Sequence, residues 1–155
     1  VEGTLLGTRA ASEWMMEAPE TLPCEASAAS AIAALRRTKE TVLPVVNDDR
    51  RFIGLVSSLR LAELTQEDGS LDAPLSDLPL IDEAVAASAP PSEVLGALRS
   101  TGLQSLPVVD ADRRVVGWVS ERDLVDRMYR DQRRAIEART QTSWGSRMQE
   151  RRRSR

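Results

Sequence analysis

Ser120-Glu121-Arg122-Asp123 sets a hydroxyl, two carboxylates and a guanidinium on four consecutive positions, and Ser57-Ser58-Leu59-Arg60 occupies the matching place in an earlier segment. Read from the residues alone, Ser-x-x-Asp is a helix capping box. The serine oxygen accepts from an amide in the first helical turn and the carboxylate answers toward the cap, for a gain of about 1 kcal/mol. Arg60 is slightly unfavourable against the positive end of a helix, by ~0.3–1 kcal/mol, so its long side chain is expected to extend into water. Other reactive chemistry is sparse. The chain has no histidine, which removes Ser-His-Asp and Cys-His nucleophiles and most zinc sites. No glycine-rich phosphate loop of the P-loop or dinucleotide type occurs. Asp48, Asp49, Asp110 and Asp112 are acids of the kind that bind cations, but they lie in turn segments where aspartate serves the backbone, so no metal site is assigned. Cys24 is the single cysteine. It reads as a small apolar residue, excludes an internal disulfide and fits a reducing compartment. No catalytic residue is assigned, and the chain reads as non-enzymatic.

The elements that must hold these residues come in two copies, offset by 63 residues without a gap. Leu43-Pro44-Val45-Val46 through Phe52-Ile53-Gly54-Leu55-Val56-Ser57 repeats as Leu106-Pro107-Val108-Val109 through Val115-Val116-Gly117-Trp118-Val119-Ser120. From Leu35/Leu98 to Leu61/Leu124, 14 of 27 positions are identical, too many for chance. Each copy reads as a helix (Ala26 to Arg37; Pro90 to Ser100), a strand (Val42–Val46; Ser105–Val109), a polar turn, a second strand (Phe52–Ser57; Val115–Ser120) and a closing helix from Ser57 or Ser120. Short extended stretches around Thr21–Leu22 and Ala84–Val85 precede them. Gly54 and Gly117 mark close approach by another backbone or a ligand. The spacing predicts an α/β (α+β) fold of two β-α-β-β-α repeats packed sheet to sheet about a pseudo-twofold axis, because one unit of about 55 residues buries too little surface alone. Such packing creates two related clefts. The expected organisation is a lead-in at 1–10, repeat 1 at 11–66, a linker at 67–74, repeat 2 at 75–140 and a basic tail at 141–155.

Charge is uneven. Residues 121–155 hold 11 Arg against six Asp and Glu, a local +5, so the net −3 leaves −8 for residues 1–120. A body of that sign does not attract nucleic acid, and the arginines near the end (Arg147, Arg151, Arg152, Arg153, Arg155) read as a disordered end. No apolar run approaches the roughly 20 residues of a membrane span, and no signal sequence is visible. Val1 at the start suggests a piece of a longer or processed protein. Trp14, Met15 and Met16 are expected in the core, and Leu124, Val125, Met128, Tyr129 and Ile136 form a stripe that packs on its own domain or a dimer mate.

With these residues the chain resembles the cystathionine-β-synthase (CBS) domain family. The carriers are a Leu-Pro-Val-Val strand, an acidic turn, a hydrophobic-Gly-x-Val-Ser strand and a helix containing Asp-Leu, best matched from Leu106 to Leu124, with the likeness spanning approximately 11–140. The resemblance implies a tandem pair, or Bateman module, that takes an adenosine-containing regulatory ligand (AMP, ADP or ATP, with S-adenosylmethionine also a candidate) and needs no cofactor. Carried over residue by residue, Asp123 holds the ribose hydroxyls, Ser120 lies near phosphate, Arg122 is a phosphate partner and Val116 lies on the same strand. The adenine wall comes from the other copy, at Pro19–Leu22 (Glu20 and Thr21 within it) and at Glu40, Thr41 and Val42. Arg60 stands where the first copy needs the aspartate, which implies one competent cleft, the other being empty or taking a different anion. The resemblance further implies a homodimer in the cytoplasm, or on the cytosolic face of a membrane protein, acting on an attached partner. A chloride-channel-family transporter is favoured by the Ser-Glu-Arg-Asp-Leu run, with a metabolic enzyme such as a sugar-phosphate isomerase or an osmolyte-transporter ATPase as alternatives. A ligand-free dimerisation or assembly domain is the reading from another class.

Overall fold

The computed structural model describes residues 9–67 and 69–153, with side chains through Arg139. The lead-in read at 1–10 therefore falls mostly outside the described residues, as do Asp68 of the linker and the side chains of the arginine-rich end. The first copy contains a 3-10 turn (Ala11–Glu13), β1 (Leu22–Pro23), α1 (Ala28–Thr38), β2 (Val42–Val46), β3 (Phe52–Ser57) and α2 (Ser58–Gln66). The second repeats the order with a 3-10 turn (Leu75–Asp77), β4 (Val85–Ala86), α3 (Pro91–Thr101), β5 (Ser105–Val109), β6 (Val115–Ser120) and α4 (Glu121–Arg153). In each copy the short first strand runs parallel to the second, and the second pairs antiparallel with the third, giving two three-stranded sheets. The four long strands have the bounds expected from the sequence. The helices start slightly later than expected because the residues before them are caps: the Ser30 amide donates to Ser27 Oγ at 3.1 Å, and Pro90 caps the helix that Pro91 opens.

Both hairpin turns are built alike. Asn47 Oδ1 accepts from the amides of Asp49 and Arg51 at 2.9 and 3.0 Å, and Asp110 Oδ1 accepts from Asp112 and Arg114 at 2.9 Å each. Asp110 thus serves the backbone, as Asn47 does in the first copy. Alternating strand residues and the inner faces of the helices make the core. Leu43, Val45, Val56 and Leu61 bury with Ala31, Ala34 and Leu35 in one cluster, and Leu106, Val108, Val119 and Leu124 bury with Val94 and Leu98 in the other. Each fully buried Val or Leu contributes about 1.5–3 kcal/mol. The copies meet at the hairpins. Arg51 and Arg114 bridge, the Phe52 amide donates to the Arg113 carbonyl at 2.7 Å, and the Arg113 guanidinium lies 5.6 Å from the Phe52 ring centre.

The lead-in segments are exchanged. Ala11 and Ser12 of the first turn donate to the carbonyls of Ala89 and Ala87 at 2.8 and 2.9 Å, and Met16 exchanges two 2.8 Å bonds with Trp118 on β6. Leu75 and Ser76 of the second turn donate to Ala26 and Cys24 at 2.9 and 3.0 Å, and Ile81 exchanges 2.9 and 2.8 Å bonds with Leu55 on β3. Each copy is therefore completed by the arm that precedes the other. This explains the two strand glycines. A Cβ on Gly54, at φ 155°, would sit 2.5 Å from Leu80 Cβ, and one on Gly117 would overlap Met15 Sδ and Cγ. The close approach read from sequence is made by these arms.

Trp14 is 2% exposed in the core, Met15 is partly buried against it, and Met16 is 43% exposed, so the expected core trio is completed only in part. The closing stripe also divides. Leu124 is buried and Met128 packs beside the core, while Val125, Tyr129 and Ile136 are exposed. α4 runs for 33 residues, about 50 Å at 1.5 Å per residue. Where a disordered tail is expected, the backbone remains helical to Arg153, in a segment that lacks proline and is rich in good helix formers such as Arg, Gln and Glu. Among the described residues no helix is long and apolar enough to cross a membrane.

Candidate functional site

The first turns of α2 and α4 are the same structure with different side chains. Ser57 Oγ accepts from the Arg60 amide and Ser120 Oγ from the Asp123 amide, both at 3.1 Å. The serines are therefore caps in both copies. Asp123 Oδ2 is buried and has no hydrogen-bond partner, a state shared by Asp131 Oδ2 and the indole nitrogens of Trp14 and Trp118. A buried acceptor left in this state costs about 1–3 kcal/mol, a burden that a donor from a ligand would lift. Arg60 instead reaches along its own helix, and its Nη1 lies 3.0 Å from Glu63 Oε2. Its side chain is 54% exposed, so it extends into water as expected and pairs with Glu63 at the surface. That pair lines a cavity of only about 110 Å³ with Val56, Leu64, Leu78 and Pro79, the last two from the exchanged arm.

The nine residues carried over from the resemblance do not line one cavity. Ser120 and Arg122 share a cavity of about 440 Å³ with Gln104, Ser105 and Glu121, all from the second copy. Thr21 and Val116 face a cleft of about 720 Å³ between the copies, beside Arg50 and Arg114 and the acids Glu25, Asp48 and Asp110. Glu40 lies in a groove of about 510 Å³ between α1 and α2, with Ile32, Leu35 and Leu61, and burial raises its carboxyl above the usual range. The Thr41 carbonyl accepts from the Ser58 amide at 2.9 Å, within its own copy. Val42, 1% exposed, is part of the core cluster that contains Trp118, Val119 and Leu124. Glu20 takes both oxygens to Arg37 at 2.9 Å. Gln104 and Ser105 were not singled out from the sequence. The available signal was Ser105 itself, a serine where the first copy has Val42.

Cys24, Glu25 and Asp48 bring their ligand atoms within 4.8 Å of one another. The thiol donates to Glu25 Oε2 at 3.3 Å, and this bond, with burial and the negative charges of Glu25 and Asp48, raises its pKa. The thiolate a metal would need is thereby disfavoured.

A family model described as the CBS domain matches residues 11–66 and 75–130. Inosine-5'-monophosphate dehydrogenase of Mycobacterium tuberculosis is 30% identical over 113 residues, which cover 72% of this chain and 21% of that enzyme. The Mycobacterium leprae enzyme is 28% identical over 111 residues with the same coverage of 72% and 21%. The chain thus spans about a fifth of the length of the curated relatives it matches. Among solved structures, a CBS-pair protein of Arabidopsis thaliana has a TM-score of 0.69 at 24% identity, covering 80% of this chain and 96% of that one. A CBS-domain protein of Pyrobaculum aerophilum complexed with AMP has a TM-score of 0.67 at 20% identity, covering 74% and 89%. Hypoxic response protein I with two coordinated zinc ions has a TM-score of 0.69 at 22% identity, covering 76% and 98%. These structures share the fold.

Proposed function

The chain belongs to the CBS-domain family, and on that premise we propose that it is a regulatory, non-catalytic module that binds one adenosine nucleotide beside the N-terminus of α4. The observation that carries this reading is the cavity of about 440 Å³ at the start of α4, lined by Ser120 and Arg122, with Asp123 the next residue along the helix. A carboxylate accepts two hydrogen bonds at once, which suits vicinal ribose hydroxyls. The amides at the start of α4 and the Arg122 guanidinium suit a phosphate group. The AMP complex of the Pyrobaculum aerophilum relative supports the ligand class. The first copy, with Arg60 held by Glu63 over a small cavity, takes no nucleotide. Calorimetry with AMP, ADP, ATP and S-adenosylmethionine tests the reading: one site per chain is expected, and silence at millimolar ligand overturns it.

Regulation follows from differential binding. A ligand that prefers one arrangement of the copies shifts their equilibrium by that preference, on the order of 1–3 kcal/mol. The exposed Val125 and Tyr129 on α4 and the apolar α1/α2 groove favour a homodimer. The partner acted upon is an attached transporter of the chloride-channel family on the strength of Ser-Glu-Arg-Asp-Leu. The dehydrogenase relatives support a second reading, an attached enzyme, and the sequence flanking the module separates the two. An assembly domain without ligand predicts a dimer indifferent to nucleotide, which sedimentation with and without AMP tests.

A further inference from the structure

The offset of 63 residues sets each residue of the α1/α2 groove against a residue of the α3/α4 face, and the two faces differ in bulk. Glu40, Ala62, Thr65 and Gln66 line the groove of about 510 Å³. Their counterparts are Leu103, Val125, Met128 and Tyr129. Leu103 and Met128 pack against the core, while Val125 and Tyr129 stand 53% and 64% exposed. These two are one helical turn apart on the same face of α4. At this spacing they form a ridge, the shape that packs into a groove between helices. The first copy therefore carries a hole where the second carries a knob.

The charges beside hole and knob indicate the occupant. Arg36 lines the groove, and Asp126 follows Val125 in the turn that leads to Tyr129. Both are exposed, and among the described residues neither forms an ion pair. Glu63, the first-copy counterpart of Asp126, has Arg60 as its partner at 3.0 Å. Asp123 stands in place of that arginine in the second copy, so Asp126 is left without one. A second copy of this chain complements both features, with a ridge for the hole and a carboxylate for Arg36. One ridge of two side chains covers much less than the about 800 Å² per partner of a stable interface. Head-to-tail pairing makes the contact twice about one twofold axis, whereas groove against groove would leave both holes unfilled.

We infer that the groove between α1 and α2 receives the ridge of Val125 and Tyr129 from a second copy, so that two chains pair head to tail. The inference rests on the homodimer reading above and adds to it the contact and its polarity. Sedimentation and cysteine cross-linking of the full chain test it, the cross-linking in a Cys24→Ser background. Wild type should sediment as a dimer. Tyr129→Glu should raise the dissociation constant by about 30-fold or more and leave the fold intact, since this side chain is exposed. Arg36→Asp should raise it by about fivefold, and adding Asp126→Arg to the same chain should restore it. Oxidising a mixture of Ala62→Cys and Val125→Cys chains should give a mixed dimer, and Ala62→Cys alone should give none. Cross-linking of Ala62→Cys to itself overturns the polarity, and a ladder of higher oligomers overturns the closed pair. A dimer unmoved by Tyr129→Glu overturns the inference alone. A wild-type chain that stays monomeric overturns the homodimer reading first.

Discussion

The two copies share their hairpins, their serine caps and their exchange of arms, yet the ends of α2 and α4 differ in what they hold. In the first copy Arg60 pairs with Glu63 beside a cavity of about 110 Å³ that Leu78 and Pro79 also line. In the second, Ser120 and Arg122 line about 440 Å³, and the next residue, Asp123, keeps a buried oxygen unpaired. Ligand pockets run to about 300–1,000 Å³, a range that holds the cavity at the start of α4, the α1/α2 groove of about 510 Å³ and the cleft of about 720 Å³ between the copies, but not the cavity beside Arg60. The difference teaches that the two copies share the residues that make the fold and differ in the side chains at the starts of their closing helices.

The strongest test exchanges the two residues. Asp123→Arg should abolish nucleotide binding, a loss of about 100-fold or more because it replaces an acceptor with a bulky cation. Arg60→Asp alone should leave the stoichiometry at one, since the first cavity stays too small. Calorimetry reads both, and a second site in Arg60→Asp would break the comparison. Next come the arms. Gly54→Ala meets Leu80 Cβ on a backbone at φ 155° and should cost about 2–3 kcal/mol by chemical denaturation. Gly117→Ala meets the flexible end of Met15 and should cost about 1 kcal/mol. Equal losses would show that the arms are held alike.

Smaller effects are expected where the copies end their first helices. Lys39 is left-handed at φ 60°, where the second copy has Gly102 at φ 70°, so Lys39→Gly should stabilise by about 0.5–1 kcal/mol in thermal unfolding. Glu40, whose pKa is raised by burial in the α1/α2 groove, gives the weakest contrast. A carboxyl that holds its proton more tightly when folded contributes stability at low pH that is lost as pH rises through its folded pKa. Glu40→Gln should therefore raise the unfolding midpoint at neutral pH and lose that advantage in acid. A constant difference across pH would exclude burial of this charge as its cause.

Much of the fold was legible because its signals are local. Val42–Val46 and Ser105–Val109 are β-branched runs beside turn residues, and Ser57 and Ser120 announce the helices they cap. That Ser120 and Arg122 share one cavity was legible for the same reason, as they stand within one helical turn. The partners expected from the other copy were less so. Glu20 is taken by Arg37, Val42 by the core and Thr41 by the Ser58 amide, contacts that no spacing announces.

From the sequence alone came a duplicated scaffold with one aspartate, Asp123, against one arginine, Arg60, because identity at a fixed offset of 63 residues is independent of how the chain packs. The tertiary structure decided that each arm crosses to the other copy, that Leu78 and Pro79 crowd the Arg60 side, and that Asp123 Oδ2 lies buried without a donor. These depend on which distant segments share a surface, and burial leaves a polar atom unpaired only once every neighbour is in place.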